Sequence, residues 1–140
     1  MIIHFKKTHP EATTPAYSRD GDACVDLTAT AINITQHYFE YDTGIAVEIP
    51  KGHVGLCFPR SSVTNKGLFL GNSVGVIDES FRGSIKFRFY ANDEFNHSTY
   101  KIGDRIGQLM VIPIPQMTFI EKQELSDSIR GSGGFGSSGN

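Results

Sequence analysis

The chain has 140 residues, 39% of them apolar and 20% charged, a length and balance that suit one domain able to bury a core without staples. Thirteen Lys and Arg against fifteen Asp and Glu leave a formal net charge of −2. That excludes a protein that coats duplex DNA or an anionic membrane by bulk charge, while leaving room for a local basic pocket that takes a phosphorylated small molecule.

Read in chain order, the dominant period is two. The N-terminus opens on a candidate strand at 2–6, with no apolar run of signal-peptide length, and no later segment is long enough to span a bilayer. The expectation is a cytoplasmic protein. Further strands are predicted over 25–34, 37–42, 45–49, 53–58, 68–70, 74–77, 85–90, 99–102, 106–114 and 117–121. The clearest alternations are Ile45, Val47, Ile49 and Ile85, Phe87, Phe89, each with polar or small residues between. Turn signals at Asp20-Gly21-Asp22, Pro50-Lys51-Gly52, Asn92-Asp93 and Gly103-Asp104 separate the strands. One short helical turn is predicted at 61–66, capped by Ser61 or Ser62. The class is all-β, a sandwich or barrel. Cys24 and Cys57 form no CxxC and are expected to be free, small buried hydrophobes. The five histidines lack ligand spacing, so no protein-ligated metal is expected from them.

Residues 130–140 differ from the rest. They hold five of the fifteen glycines and cannot build a core. A flexible tail explains the composition, but a tail needs neither Arg130 nor Phe135. Glycine-rich backbone with Arg and Ser is also what a phosphate clamp requires, because N–H groups can wrap an anion without interference from Cβ atoms.

Three groups of residues carry chemistry. Pro59-Arg60-Ser61-Ser62 through Lys66-Gly67 follows a strand, and it combines a planar guanidinium with two hydroxyl donors. Gly75-Val76-Ile77-Asp78 ends an apolar strand in a carboxylate, either a simple turn-former or a rigidly held general base. Asp26 lies between Val25 and Leu27 and faces away from the core, either as a solvated residue or near a divalent cation.

These stretches, in this order, resemble the trimeric dUTPase family. Ala23-Cys24-Val25-Asp26-Leu27, Pro59 through Gly67, Gly75 through Gly83, Arg105-Ile106-Gly107-Gln108-Leu109 and Arg130 through Gly139 resemble the five family motifs. The resemblance implies a distorted jelly-roll or β-barrel over 1–121 and a C-terminal arm over 122–140 that closes on substrate. It implies a homotrimer whose active sites lie between subunits, and hydrolysis of dUTP to dUMP and pyrophosphate with Mg²⁺. Such an enzyme keeps uracil out of DNA and supplies dUMP. Asp78 would activate water and Asp26 would hold Mg²⁺ through its water shell. Arg60, Ser61, Ser62 and Gln108 would contact phosphates. Arg130, Gly136, Ser137 and Ser138 would clamp them from the arm, and Phe135 would stack on uracil. Asn72, Gly75 and Ile77 would frame the base, and Phe81 would lie under deoxyribose. Cys24, Ser62, Ser80, Phe81 and Ser84 depart from the family's usual residues. The alternatives are a dCTP deaminase-like enzyme of the same superfold and a nucleotide-gated regulatory binding module. The deaminase would need a glutamate where this chain has Arg88.

Overall fold

The computed structural model describes residues 1–91 and 98–134. Ten strands and one 3-10 helix run in the order β1 (His4–Lys7), β2 (Val25–Thr28), β3 (Ala31–Ile34), β4 (Phe39–Asp42), β5 (Ile45–Glu48), β6 (His53–Pro59), the helix Ser61–Lys66, β7 (Leu68–Leu70), β8 (Gly75–Ile77), β9 (Lys86–Ala91) and β10 (Arg105–Pro113). They form one four-stranded sheet in the order β2-β10-β6-β8, a second in the order β3-β4-β9-β7, and the pair β1-β5, every pairing being antiparallel. Among the described residues no helix is long and apolar enough to cross a membrane.

The core sits between the two larger sheets. Leu27, Cys57, Ile106 and Leu109 come from one, and Tyr41, Leu68, Leu70, Phe87 and Phe89 from the other. The period-two reading holds best on β9, where Phe87 and Phe89 are almost fully buried while Lys86, Arg88 and Tyr90 face outward. The sheets do not close into the expected barrel. Their edge strands are only three or four residues long, too short to carry a ladder around the circumference.

Three predicted elements differ. The 25–34 run is two strands, because Ala29 N–H bonds the carbonyl of Asp104 while Thr30 N–H bonds that of Asp42; the chain changes sheets there. Residues 99–102 form no strand. Their neighbourhood is tied instead by single bonds, Ser98 N–H to Lys66 and Gly103 N–H to Ala29. Residues 117–121 have strand-like composition but no strand partner among the described residues, with Met117 at 74% and Phe119 at 88% exposure. The 3-10 helix is where it was predicted, but neither serine caps it. Arg60 occupies the cap position without a side-chain bond, and Thr64 Oγ1 instead donates to the Ser61 carbonyl.

Candidate active site

Register builds the first half of the site. Asp26 on β2 stands opposite Gln108 on β10, which stands opposite Phe58 on β6. Cross-strand neighbours share a face, and so does Arg60, two residues beyond Phe58. Arg105 and Gln108 are an odd number of residues apart and in a regular strand would point to opposite faces. The ladder shifts between Arg105 and Gly107, so that Arg105 faces Thr28 while Gly107 faces Leu27. This bulge restores parity and turns Arg105 toward the same pocket. Asp26, Arg60, Ser61, Arg105 and Gln108 line that pocket with Ser18 and Arg19.

Asp26 is the hinge of this cluster. Its Oδ1 lies 3.1 Å from Arg60 Nε, and its Oδ2 accepts from Arg105 at 2.9 Å and from the Ser18 hydroxyl at 2.5 Å. Burial alone would push the Asp26 carboxyl up. The Ser18 hydroxyl and the two guanidiniums outweigh it and hold the group below the usual carboxylate range. Gln108 Nε2 donates to the Pro59 carbonyl at 3.2 Å, tying β10 to the serine loop. The result is an anion pocket, in which two arginines are aimed by one carboxylate and flanked by hydroxyl and amide donors.

The donor set also decides how a cation would fit. No group of three or more His, Cys, Asp or Glu side chains converges among the described residues, and both Asp26 oxygens already hold partners. Direct protein coordination does not suit this site. Mg²⁺ held by one carboxylate through water, with phosphate oxygens completing the shell, does suit it.

The second half is built by β7, β8 and the following turn. Although joined by a short turn, β7 pairs with β9 and β8 with β6, so they belong to different sheets. Both are edge strands among the described residues, and each leaves one side of its backbone without a strand partner there. A pocket beside them is lined by Gly71, Asn72, Ile77, Phe81, Ser84, Lys86, Arg88, Tyr90 and Glu40. Gly75 lies behind Asn72, where an added Cβ would meet Asn72 Nδ2 at 3.6 Å and Cys57 at 3.1 Å. The Phe81 ring folds back across Gly83, where a Cβ would come within 2.6 Å of it. Glu40 accepts from Arg88 Nε at 2.7 Å and Lys86 Nζ at 3.0 Å, bonds that hold its carboxyl below the usual range.

Asp78 follows β8 directly and is exposed. Its carbonyl accepts from Phe81 N–H at 3.1 Å, and its carboxylate has no partner among the described residues. The turn that carries it is pinned twice. Arg82 NH1 donates to the carbonyls of Glu79 at 2.5 Å and Phe81 at 2.8 Å, and Glu79 Oε2 accepts from Gly52 N–H at 3.1 Å.

Of the site residues expected from sequence, Asp26, Arg60, Ser61 and Gln108 line one pocket and Asn72, Ile77 and Phe81 line another that shares no residue with it, while Asp78 and Gly75 lie outside both linings. Ser62 lines neither; it is half-buried behind Ser61. Arg130 is exposed and folds onto its own turn, with Nε donating to Gly133 at 2.8 Å. Phe135, Gly136, Ser137 and Ser138 lie outside the described residues. Sequence reasoning missed Ser18, Arg19, Glu40 and Lys86. It quoted Arg105 without giving it a role, because an Arg-to-Gln spacing of three conceals their shared face unless the bulge is known.

Known proteins resemble this chain along most of its length. The dUTPase family model matches residues 10–139. A deoxyuridine 5′-triphosphate nucleotidohydrolase of Rhodococcus erythropolis is 39% identical, the alignment covering 99% of this chain and 87% of the relative. The enzyme of the same name from Escherichia phage T5 is 38% identical, with 99% of each chain covered. Among solved structures, a point mutant of the Staphylococcus bacteriophage 80alpha dUTPase with dUpNHpp superposes with a TM-score of 0.82 at 27% identity, covering 99% of both chains. Family match, near full-length relatives and shared fold agree, and the chain belongs to the dUTPase family.

Proposed function

We propose that this protein hydrolyses dUTP to dUMP and pyrophosphate, working as a homotrimer in which each active site combines the two half-pockets from different copies. The observation that carries the reading is the division of the site within one chain. One pocket offers arginines, a serine and a glutamine suited to a triphosphate. The other offers free strand edges, Asn72 and an aromatic floor suited to a nucleoside. Neither suffices alone.

In this reading the base edge pairs with unpaired backbone groups beside β7 and β8 and with the Asn72 amide. Cytosine would reverse donor and acceptor at two positions and leave buried groups unpaired. Phe81 supports the sugar. Arg60, Ser61 and Gln108 hold the phosphate chain, with Arg105 beside them. Arg130 and the residues after it close over the chain as the C-terminal arm 122–140 of another copy. The exposed apolar side chains Met117, Phe119 and Ile120, at the end of the 1–121 domain, support an arm that leaves that domain to find a surface elsewhere. Asp78, whose carboxylate is free among the described residues, takes a proton from a water whose oxygen bonds to the α-phosphorus, while the bond from that phosphorus to the bridging oxygen breaks and pyrophosphate leaves. Mg²⁺, held through water by Asp26, would supply charge neutralisation on the phosphate oxygens. The product would feed thymidylate synthesis while dUTP is kept from DNA.

A deaminase reading finds less support, because the carboxylate in the nucleoside pocket, Glu40, is bound to two cations and is a poor base. The test is pyrophosphate release from dUTP, dCTP and dTTP. Selective turnover of dUTP is expected, with Asp78→Asn lowering kcat by at least about 10²-fold, the scale of a lost general base. Uracil nucleotide formed from dCTP, or full activity in the variant, would refute the proposal.

A further inference from the structure

Three arginines line the anion pocket, and the fold leaves one of them unspent. Arg60 and Arg105 are committed to Asp26, with Arg60 Nε 3.1 Å from Oδ1 and Arg105 NH1 2.9 Å from Oδ2. Arg19 is exposed, and its guanidinium makes neither a hydrogen bond nor an ion pair with any described residue.

Its backbone, by contrast, is held. Arg19 N–H donates to Asp22 Oδ2 at 2.8 Å, and Asp22 N–H donates to the Arg19 carbonyl at 3.3 Å, closing a turn in which Gly21 takes a φ of +85°. The residue before it, Ser18, donates its hydroxyl to Asp26 Oδ2 at 2.5 Å, and Asp26 N–H bonds the Ala16 carbonyl at 3.0 Å. The loop is fastened to β2 just before Arg19 and to itself just after. A free side chain therefore starts from a fixed point on the pocket wall.

Charge decides what that side chain can do. Against the three arginines the lining holds two carboxylates, Asp22 and Asp26. Without Arg19 these side-chain charges balance, so the net positive charge of the lining rests on Arg19. A balanced pocket would give a polyanion little attraction from a distance. An uncommitted guanidinium fork also gives up no partner when a phosphate arrives, whereas Arg60 and Arg105 must share theirs with Asp26.

We propose that Arg19 is a further substrate-binding residue, its guanidinium closing on the two outer phosphates of the nucleotide, the part that leaves as pyrophosphate. This rests on the dUTPase reading, in which the nucleoside and the α-phosphorus lie against the β8 turn and Asp78 while the anion pocket takes the rest of the chain. Arg19 holds those phosphates before reaction and during it, so it contributes to affinity and not to the chemical step.

The test is Arg19→Gln, with Lys6→Gln on β1 as the control for one positive charge lost away from the pocket. The dUTP KM and the inhibition constant of pyrophosphate should rise about tenfold, the scale of one charge-assisted hydrogen bond at an exposed site. The change in kcat should stay below about twofold, and inhibition by dUMP, which lacks the outer phosphates, should match wild type. Tm should not fall, because the side chain holds nothing in the free protein; a merely structural arginine would lower Tm and leave KM alone. Arg19→Lys, which keeps the charge and loses the fork, should recover part of the loss. An active Arg19→Gln enzyme with wild-type KM, a KM shift that Lys6→Gln reproduces, or equal weakening of dUMP overturns the inference and leaves the dUTPase reading standing. Should the wild type fail to turn over dUTP, that reading falls, and pyrophosphate binding measured by calorimetry decides the role of Arg19. Weaker binding by Arg19→Gln supports it, and equal or absent binding refutes it.

Discussion

Gly107→Ala should damage this protein more than its size suggests. Gly107 is buried on β10, one residue before Gln108 and at the end of the bulge. A Cβ built there would sit 2.2 Å from Phe87 Cε1 and 2.3 Å from Cζ. Carbon atoms in ordinary contact lie about 3.5–4 Å apart, so strand or ring must move by more than about 1 Å. Phe87 has no room to give, being 1% exposed and stacked on Phe89 at 6.2 Å. Overpacking of this kind costs about 1–3 kcal/mol, which at this chain length lowers Tm by about 3–10 °C. The moving strand carries Gln108 and Arg105, and misplacing a binding group by about 1 Å can cost up to about 10²-fold in rate. Thermal unfolding and kcat/KM on dUTP would be measured for Gly107→Ala alone and combined with Phe87→Leu. The smaller side chain should relieve most of the added loss, giving strong coupling between the two sites. A Gly107→Ala protein with unchanged Tm, or the same penalty in both backgrounds, would refute the packing argument.

Asp26→Asn should destabilise the fold by about 1–3 kcal/mol at neutral pH, because it leaves two partly desolvated guanidiniums facing each other without their carboxylate. The folded-state Asp26 group is held below its unfolded value, so its contribution is present above about pH 4 and is lost as pH falls through the folded value. Denaturant unfolding should therefore give a gap between wild type and variant that narrows with acidification, and a gap independent of pH would contradict the ion-pair account. Arg82→Ala frees the turn that carries Asp78, which Arg82 holds by two carbonyls and an ion pair to Glu48 at 3.7 Å. The expectation is kcat down about tenfold with a smaller change in KM, the mark of a misplaced base; equal kcat in steady-state assays would show the turn to be held by other contacts.

Much of this was legible beforehand because alternation reports burial directly. Ile85, Phe87 and Phe89 announced a half-buried strand, and Leu27 beside Asp26 announced a core face and a polar face. The short helix stands at the predicted residues, although the serine cap that motivated it does not form. What the chain concealed was long-range pairing. Residues 117–121 have the composition of a strand, but composition cannot name a partner, and these residues find none among the described residues. The 25–34 run reads as continuous because the change of sheet at Ala29 and Thr30 is made by backbone bonds to Asp104 and Asp42, which any residue can make. The same blindness hid Ser18 and Glu40. Ser18 reaches Asp26 across eight positions, and Glu40 reaches Arg88 across forty-eight. Tyr100 was read as part of a strand, and only its enclosure reveals a hydroxyl without a hydrogen-bond partner among the described residues.

The irregular step between Arg105 and Gly107 has a consequence for how this chain tolerates length changes. Removing one residue there would heal the ladder and leave the sheet more regular than before. Arg105 would still stand opposite Thr28, now an even two residues from Gln108, and its guanidinium would keep to the anion-pocket side. A single-codon deletion of Ile106 would therefore spare the phosphate grip and cost a fully buried core side chain, while shortening the strand by a step its pairing could absorb. Elsewhere on the same strand, a loss of one residue would misalign every later partner.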